Sequence, residues 1–305
     1  MMNTSGNDDG KNDTATMTKR TQESLLVRLQ RLLPAKFMGK IVRRAALSEN
    51  SLLKSVLINS FIRLYKVNLS DAESPDAGSY RSFNAFFTRK LKDGARPIDE
   101  SRSAVCSPAD GTLAESGLIH GSKLIQAKGI NYTVEQLFAS SDLAAQRFIN
   151  GSFATVYLAP YNYHRIHMPI AGALTESVYV PGGLLSVNAA TTAQVQGLYA
   201  ENERLIQLFN GENGPFAVIM VGALNVGSIT TAWGGETPQH VRENGHHFLH
   251  TKSDPHTYYE KGDYLGHFNL GSTVIFLAGP EQLRWEQGLE AGTSLRVGER
   301  IGTLN

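Results

Sequence analysis

The sequence predicts an α+β chain: an N-terminal amphipathic helical region followed by a mostly β domain of sandwich or barrel type. Three observations predict it. Leucines and other apolar residues recur at three- and four-residue spacing in stretches between Leu25 and Leu64, which lays an apolar stripe along a helix. From about residue 100 onward, short apolar runs (SFATVYLA, AVIMVGAL, VGSITTAW, STVIFLAG) alternate with Gly, Pro and Asn turns, the texture of short strands. An apolar content of 41% in 305 residues is enough to bury a sizeable core, as one large domain or two smaller ones.

Residues 1–18 are polar and contain no apolar stretch. They read as disordered, and not as a secretory signal. Residues 19–70 form the basic helical region. Leu25, Leu26, Leu29, Leu32 and Leu33 make a first stripe around Arg28 and Arg31. After Pro34, a second combines Phe37, Ile41 and Val42 with Lys36, Lys40, Arg43 and Arg44. The third, SLLKSVLINSFIRLYKV (51–67), offers Leu53, Val56, Leu57, Phe61 and Leu64. Between Lys19 and Lys66, eleven Lys and Arg stand against Glu23 and Glu49, a local charge of +9 in a chain of net +1, which leaves −8 for the remainder. A basic amphipathic helix suits an anionic bilayer. The same stripe would also serve a helical layer packed on its own domain. Nucleic acid is disfavoured as a partner, because aromatic residues for base stacking are not interleaved with the basic ones.

Residues 71–305 form the second domain, entered through the turn-rich DAESPDAGSY (71–80). Helices are expected at 133–148 and 188–209, and strands at the apolar runs. No internal repeat is visible. No run of 18 apolar residues occurs to span a membrane as a helix. The single cysteine, Cys106, excludes an intramolecular disulfide and a multi-cysteine zinc site.

Three stretches carry chemistry. In SPADGTL (107–113), a turn holds Asp110 at the end of a strand. In YNYHRIHMP (161–169), His164 and His167 flank Arg165; they share a face if helical and lie on opposite faces if extended. Pro169 favours extended geometry before it. Together with GHHFLH (245–250) these histidines could also ligate a metal. The third stretch, FNLGSTVIFL (268–277), reads as a strand, yet Gly271-Ser272 lies inside it, where glycine weakens packing and costs backbone entropy. Asp110, His167 and Ser272 supply a carboxylate, a base and a hydroxyl, the parts of an activated serine. The Gly-x-Ser-x-Gly elbow of α/β-hydrolases is absent, since Ser272 stands in L-G-S-T.

FNLGSTVIFL, YHRIHMPIAGALTESVYVPGGLLSVN (163–188), SPADG and FNAFFTRKLKDGARP (83–97) together resemble phosphatidylserine decarboxylases of the bacterial and mitochondrial type. The similarity runs from about Tyr80 to Phe276, and the length and lack of a span look more like the bacterial enzymes. The resemblance implies a proenzyme that cuts itself between Gly271 and Ser272, leaving a covalent pyruvoyl group made from Ser272 as cofactor and needing no metal. It implies an Asp110–His167–Ser272 triad for the cut, His164 as proton donor in turnover and Tyr157 as a substrate contact. The carbonyl would condense with the amine of phosphatidylserine and draw electrons as CO2 leaves, giving phosphatidylethanolamine. A peripheral place on the cytoplasmic face of the cell membrane, met through residues 19–70, and a homodimer complete the expectation. The rival readings are a serine hydrolase using the same three residues and a membrane-bound β scaffold in which Gly271-Ser272 is only a bulge. Either would leave one uncut chain.

Overall fold

The structure is a computed structural model that describes residues 35–127, 129–139, 143–223, 228–237, 258–270 and 272–305. Helices α1 (Ala35–Leu47) and α2 (Ser51–Tyr65) come first. Asn50 caps α2 by accepting from the Leu53 N–H, and Lys66 ends it in the left-handed conformation. A 3-10 turn at Ala77–Ser79 leads into the short α3 (Phe83–Phe87). These elements bury Ile58, Tyr80, Phe83, Phe86 and Phe87, with Phe61 and Leu270 packed against them. The expected helical region is therefore present from Ala35 onward. The Leu25–Leu33 stripe and residues 1–18 lie outside the described residues.

Helix α2 carries apolar side chains on two sides. One side packs on the aromatic cluster, while Leu52 (78% exposed), Val56 (62%) and Leu64 (74%) face outward. The basic face expected there is reduced, because the Lys54 amine is tied to the Gly78 and Tyr80 carbonyls. The 71–80 stretch is itself anchored: Tyr80 donates to the Ser74 carbonyl at 2.6 Å and Asp71 accepts from Arg96 at 3.0 Å.

The remainder is antiparallel β. The strands are β1 (Ala104–Cys106), β2 (Gly111–Leu118), β3 (Lys123–Ala127), β4 (Ile130–Thr133), β5 (Ser152–Leu158), β6 (Arg165–His167), β7 (Gly172–Val180), β8 (Arg204–Gly211) and β9 (Gly214–Gly222). Then follow β10 (Ile229–Thr231), β11 (Gly235–Glu236), β12 (Tyr258–Tyr259), β13 (Tyr264–Phe268), β14 (Ser272–Ala278), β15 (Leu283–Trp285), β16 (Ser294–Leu295) and β17 (Arg300–Leu304). The main sheet runs β12-β7-β8-β9-β14-β5-β2-β16, and a second runs β11-β10-β13-β6. Smaller sheets pair β1-β17-β15 and β3-β4. The central strands are buried on both faces. Val274 and Phe276 join Val218 and Met220 in one core, and Ile275 and Leu277 join Ile219 and Val221 in the other. That is why AVIMVG and STVIFLA read as continuous apolar runs rather than alternating ones.

Two expected helices are corrected. Residues 133–148 give the end of β4, then α4 (Val134–Phe138) and α5 (Leu143–Gln146). Thr133 and Gln136 close a capping box, and Ala139 stops α4 at φ 53°. Residues 188–209 give α6 (Ala189–Thr192), α7 (Leu198–Glu201) and then strand β8. In RLIQLF, Leu205 and Phe209 face one core while Ile206 and Leu208 face the other, an apolar spacing that imitates a helix. Buried side chains stabilise the breaks. Gln126 donates to the Thr192 and Val195 carbonyls and accepts from the Leu198 N–H. Arg204 donates to carbonyls of Gln136, Leu137, Ala200 and Asn202, closing the ends of α4 and α7.

FNLGSTVIFL is also corrected. It is two strands in different sheets, β13 ending at Phe268 and β14 beginning at Ser272. Ser272 thus opens the strand of the main sheet that follows β13 of the second sheet.

Candidate active site

Ser272 is the first residue of β14, in register with Gly222 of β9 and Leu158 of β5. Tyr157 is one residue from that position, opposite Thr273. Burial pushes the Tyr157 phenol up, with Tyr161 and Tyr65 of α2 adding to the shift. The chain enters the junction under restraint. The Asn269 N–H donates to the Ser228 carbonyl, and its amide donates to Ser228 Oγ (2.7 Å) and Thr230 Oγ1 (3.0 Å) and accepts from Asn84 of α3 (3.1 Å). Ser228 donates in turn to Glu236, which Arg43 of α1 holds at 2.6 Å. Arg43, Ala46, Leu47, Asn84, Glu236, Asn269 and Leu270 line a pocket there.

Both histidines lie alongside β13, on its β6 side. His167 pairs with Tyr264, and the Phe268 N–H donates to the His164 carbonyl. The chain is extended here, and the rings occupy different environments, as odd spacing along a strand requires. His164 is fully buried and stacks on Phe87 with centroids 4.0 Å apart. Its Nε2 lies 3.3 Å from the Pro160 carbonyl, an acceptor, so Nε2 carries the hydrogen. Nδ1 is buried with no hydrogen-bond partner. Burial above all, with a smaller contribution from Arg89, pulls His164 down to about 3. His167 presents Nδ1 to the Gly262 carbonyl at 2.8 Å and Nε2 to the Tyr163 hydroxyl at 3.0 Å. Because a carbonyl only accepts, Nδ1 carries the hydrogen, and neutral Nε2 accepts from Tyr163. Burial lowers its pKa too. Gly262 has φ +88°, and a side chain there would meet Ile98 at 2.8 Å, so only glycine suits the anchor.

Asp110 lies close to His167 in the chain path, since the His167 N–H donates to the Pro108 carbonyl. Its carboxylate is engaged elsewhere. It accepts from Arg96 Nε (2.9 Å) and Nη2 (2.6 Å) and from the Val297 N–H (2.9 Å). The carbonyl of Gly262, not Asp110, orients the His167 ring. Gly111 after it is demanded by close approach, because a Cβ would stand 2.4 Å from the Tyr157 carbonyl. His164 and His167 meet β13 at Phe268 and Tyr264, Tyr157 lies one register position from Ser272, Asp110 is held by Arg96, and Gly271 lies outside the described residues. GHHFLH (245–250) lies outside them as well. Among the described residues no group of three or more His, Cys, Asp or Glu is assembled to hold a metal.

Sequence reasoning missed Arg96, Tyr163, Gly262 and Asn269. Tyr163 and Asn269 stood inside the stretches already singled out, but a tyrosine or asparagine carries no signal until its partner is known.

The phosphatidylserine decarboxylase family model matches residues 83–303. Three curated proteins, each named phosphatidylserine decarboxylase proenzyme, are similar over nearly the whole chain. That of Acinetobacter baumannii (strain SDF) is 44% identical over 288 residues, covering 94% of this chain and 99% of its own. That of Ectopseudomonas mendocina is 43% identical over 281 residues, with 92% and 98% covered. That of Saccharophagus degradans is 42% identical over 283 residues, with 93% and 98% covered. With the family model matching residues 83–303 and relatives 42–44% identical over nearly the whole chain, the chain belongs to the phosphatidylserine decarboxylase family.

Proposed function

We propose that this chain is a proenzyme that cuts itself between Gly271 and Ser272 and then decarboxylates phosphatidylserine to phosphatidylethanolamine. The observation that carries the reading is the position of Ser272 at the start of β14. That strand pairs along its whole length with β5 and β9, so a cut at its first residue leaves the new N-terminus anchored in the main sheet.

In the cut, the Ser272 hydroxyl attacks the Gly271 carbonyl, and the amide becomes an ester. Loss of the Ser272 α-proton then releases residues 1–271, and hydrolysis leaves pyruvoyl and ammonia. His167 is the base for the hydroxyl: it is neutral because burial disfavours its cation, and its ring is fixed from both sides. Asp110 acts on it through charge rather than contact, favouring the imidazolium from its place on Arg96. The pyruvoyl carbonyl supplies the electron sink for loss of CO2. His164 is the group that passes a proton to the substrate carbon: its neutral ring carries hydrogen on Nε2, so Nδ1 first takes up the proton that it hands on, and the burial that disfavours the cation makes that release ready. Tyr157, beside Ser272 in register and near Tyr65 of α2, contacts substrate.

The lipid surface is met peripherally, on the cytoplasmic face of the cell membrane, through residues 19–70. Support comes from the outward apolar side of α2 and the +9 charge of that segment. No described helix is long and apolar enough to cross a membrane.

Intact mass spectrometry of the purified protein tests the reading. Two chains are expected, with a carbonyl-reactive N-terminus on residues 272–305, and Ser272→Ala is expected to remain one chain without decarboxylase activity. A single uncut wild-type chain would return the protein to the hydrolase or scaffold alternatives.

A further inference from the structure

We infer that Tyr163 is a positioning residue for self-cleavage: by donating its hydroxyl to His167 Nε2, it fixes the ring and its tautomer and tunes how readily that nitrogen takes a proton. The inference rests on the reading of His167 as the base. The ring is held at both nitrogens, by the Gly262 carbonyl at Nδ1 and by Tyr163 at Nε2, and Tyr163 itself is buried and stacked on it with centroids 5.7 Å apart. Nδ1 already carries a hydrogen, so Nε2 holds the ring's one lone pair, and the Tyr163 hydroxyl turns off it as Nε2 takes the Ser272 proton. As the bond from Ser272 Oγ to the Gly271 carbonyl carbon forms, that proton passes to Nε2. It is handed to the Ser272 nitrogen as the C–N bond breaks, and Tyr163 gains and loses no net proton.

The charged and titratable groups facing His167 are Arg165 from its own strand, Asp110 from the 107–110 turn, and Asp263 and Tyr264 from the chain opposite. Burial opposes the cation most; the Gly262 hydrogen bond favours it, Arg165 opposes it, and the two aspartates favour it. Donation from Tyr163 to the lone pair stabilises the neutral ring. Burial pushes Tyr163 up to about 12, so it remains a donor wherever the histidine titrates.

The test is self-cleavage of the full chain, made by cell-free translation so that it starts uncut and followed across a pH series. Tyr163→Phe should still cut, about tenfold more slowly at its plateau, as expected for one lost hydrogen bond. Its acid limb should move to higher pH by on the order of half a unit, because the neutral base loses its donor. A ring-fluorinated tyrosine at 163, a stronger donor, should move the limb the other way. A purely structural role would slow cutting and leave the limb in place, and that result in either chain overturns the inference. His167→Ala runs beside them: full-rate cutting there sinks the base assignment itself, independently of Tyr163.

Discussion

Arg96 grips Asp110 through two nitrogens, with Nη2 2.6 Å from Oδ2 and Nε 2.9 Å from Oδ1, and the Val297 N–H shares Oδ1. The two side chains are only 13% and 8% exposed. A charge pair so placed is costly to break, because removing one member strands the other away from water. The Val297 N–H bond also ties the 107–110 turn, which supports the His167 strand, to the C-terminal residues beyond Ser272.

Asp110→Ala should therefore destabilise the chain by about 3–5 kcal/mol, read by urea unfolding on a Ser272→Ala background that cannot cut. Adding Arg96→Ala should cost less than the sum of the two single losses. Strict additivity would show that the pair is not coupled. Asp110→Asn should also slow self-cleavage, by removing the charge that favours the His167 imidazolium.

The histidines should separate by function. His167→Ala should abolish the cut, whereas His164→Ala should cut and then decarboxylate about 10²–10⁴-fold more slowly, the usual contribution of a general acid. Time-resolved gels and CO2 release measure the two steps. Parental turnover in His164→Ala would remove it from the chemistry.

Buried neutral histidines predict acid lability. His164 and His267 are pulled down to about 3 and about 4, and His167 is lowered too. Their folded pKa values lie below the unfolded value of about 6.5, so the unfolded chain binds more protons. The stability they confer is complete above about pH 6.5 and is lost as pH falls toward the folded values. The urea midpoint of the Ser272→Ala chain should decline through this window, and His164→Phe should flatten the slope. A midpoint constant with pH across the window would contradict the burial assigned to these rings.

Asn269 should matter more than an ordinary loop residue. Its amide is the knot between Ser228, Thr230 and Asn84, two residues before Gly271 of the proposed cut. Asn269→Ala should leave several buried polar groups short of a partner and, in the proposed cut, loosen the approach to Ser272. Self-cleavage should slow about tenfold or more, since small misplacements of a reacting group are expensive. Cutting at the wild-type rate would mean that Leu270 and the helical layer position the junction without it.

At the membrane, Leu52→Glu with Leu64→Glu should weaken co-sedimentation with phosphatidylserine vesicles more than any single Arg→Gln. Each Lys or Arg near the surface contributes about 1 kcal/mol and is screened by salt, whereas apolar burial is not screened. High salt should release the protein only in part, and self-cleavage should proceed unchanged in the double variant. Full binding after both leucines are replaced would place the lipid contact elsewhere.

The amino-acid sequence by itself determined the α+β class, the helical region with its charge, the positions of most strands and the family, because each is written in local patterns. Apolar spacing specifies which face is buried, and four motif stretches in order leave few alternatives. The tertiary structure decided the rest. It split 188–209 into two helical turns and a strand, because RLIQLF feeds two cores and buried Gln126 and Arg204 close the broken ends. It turned FNLGSTVIFL from one strand into a crossing between sheets. It gave Asp110 to Arg96 and oriented His167 by Gly262 and Tyr163. A hydrogen bond goes to whichever partner the packed chain brings within about 3 Å. Partners distant in the sequence, such as Gly262 and His167, leave no local spacing from which that choice can be read.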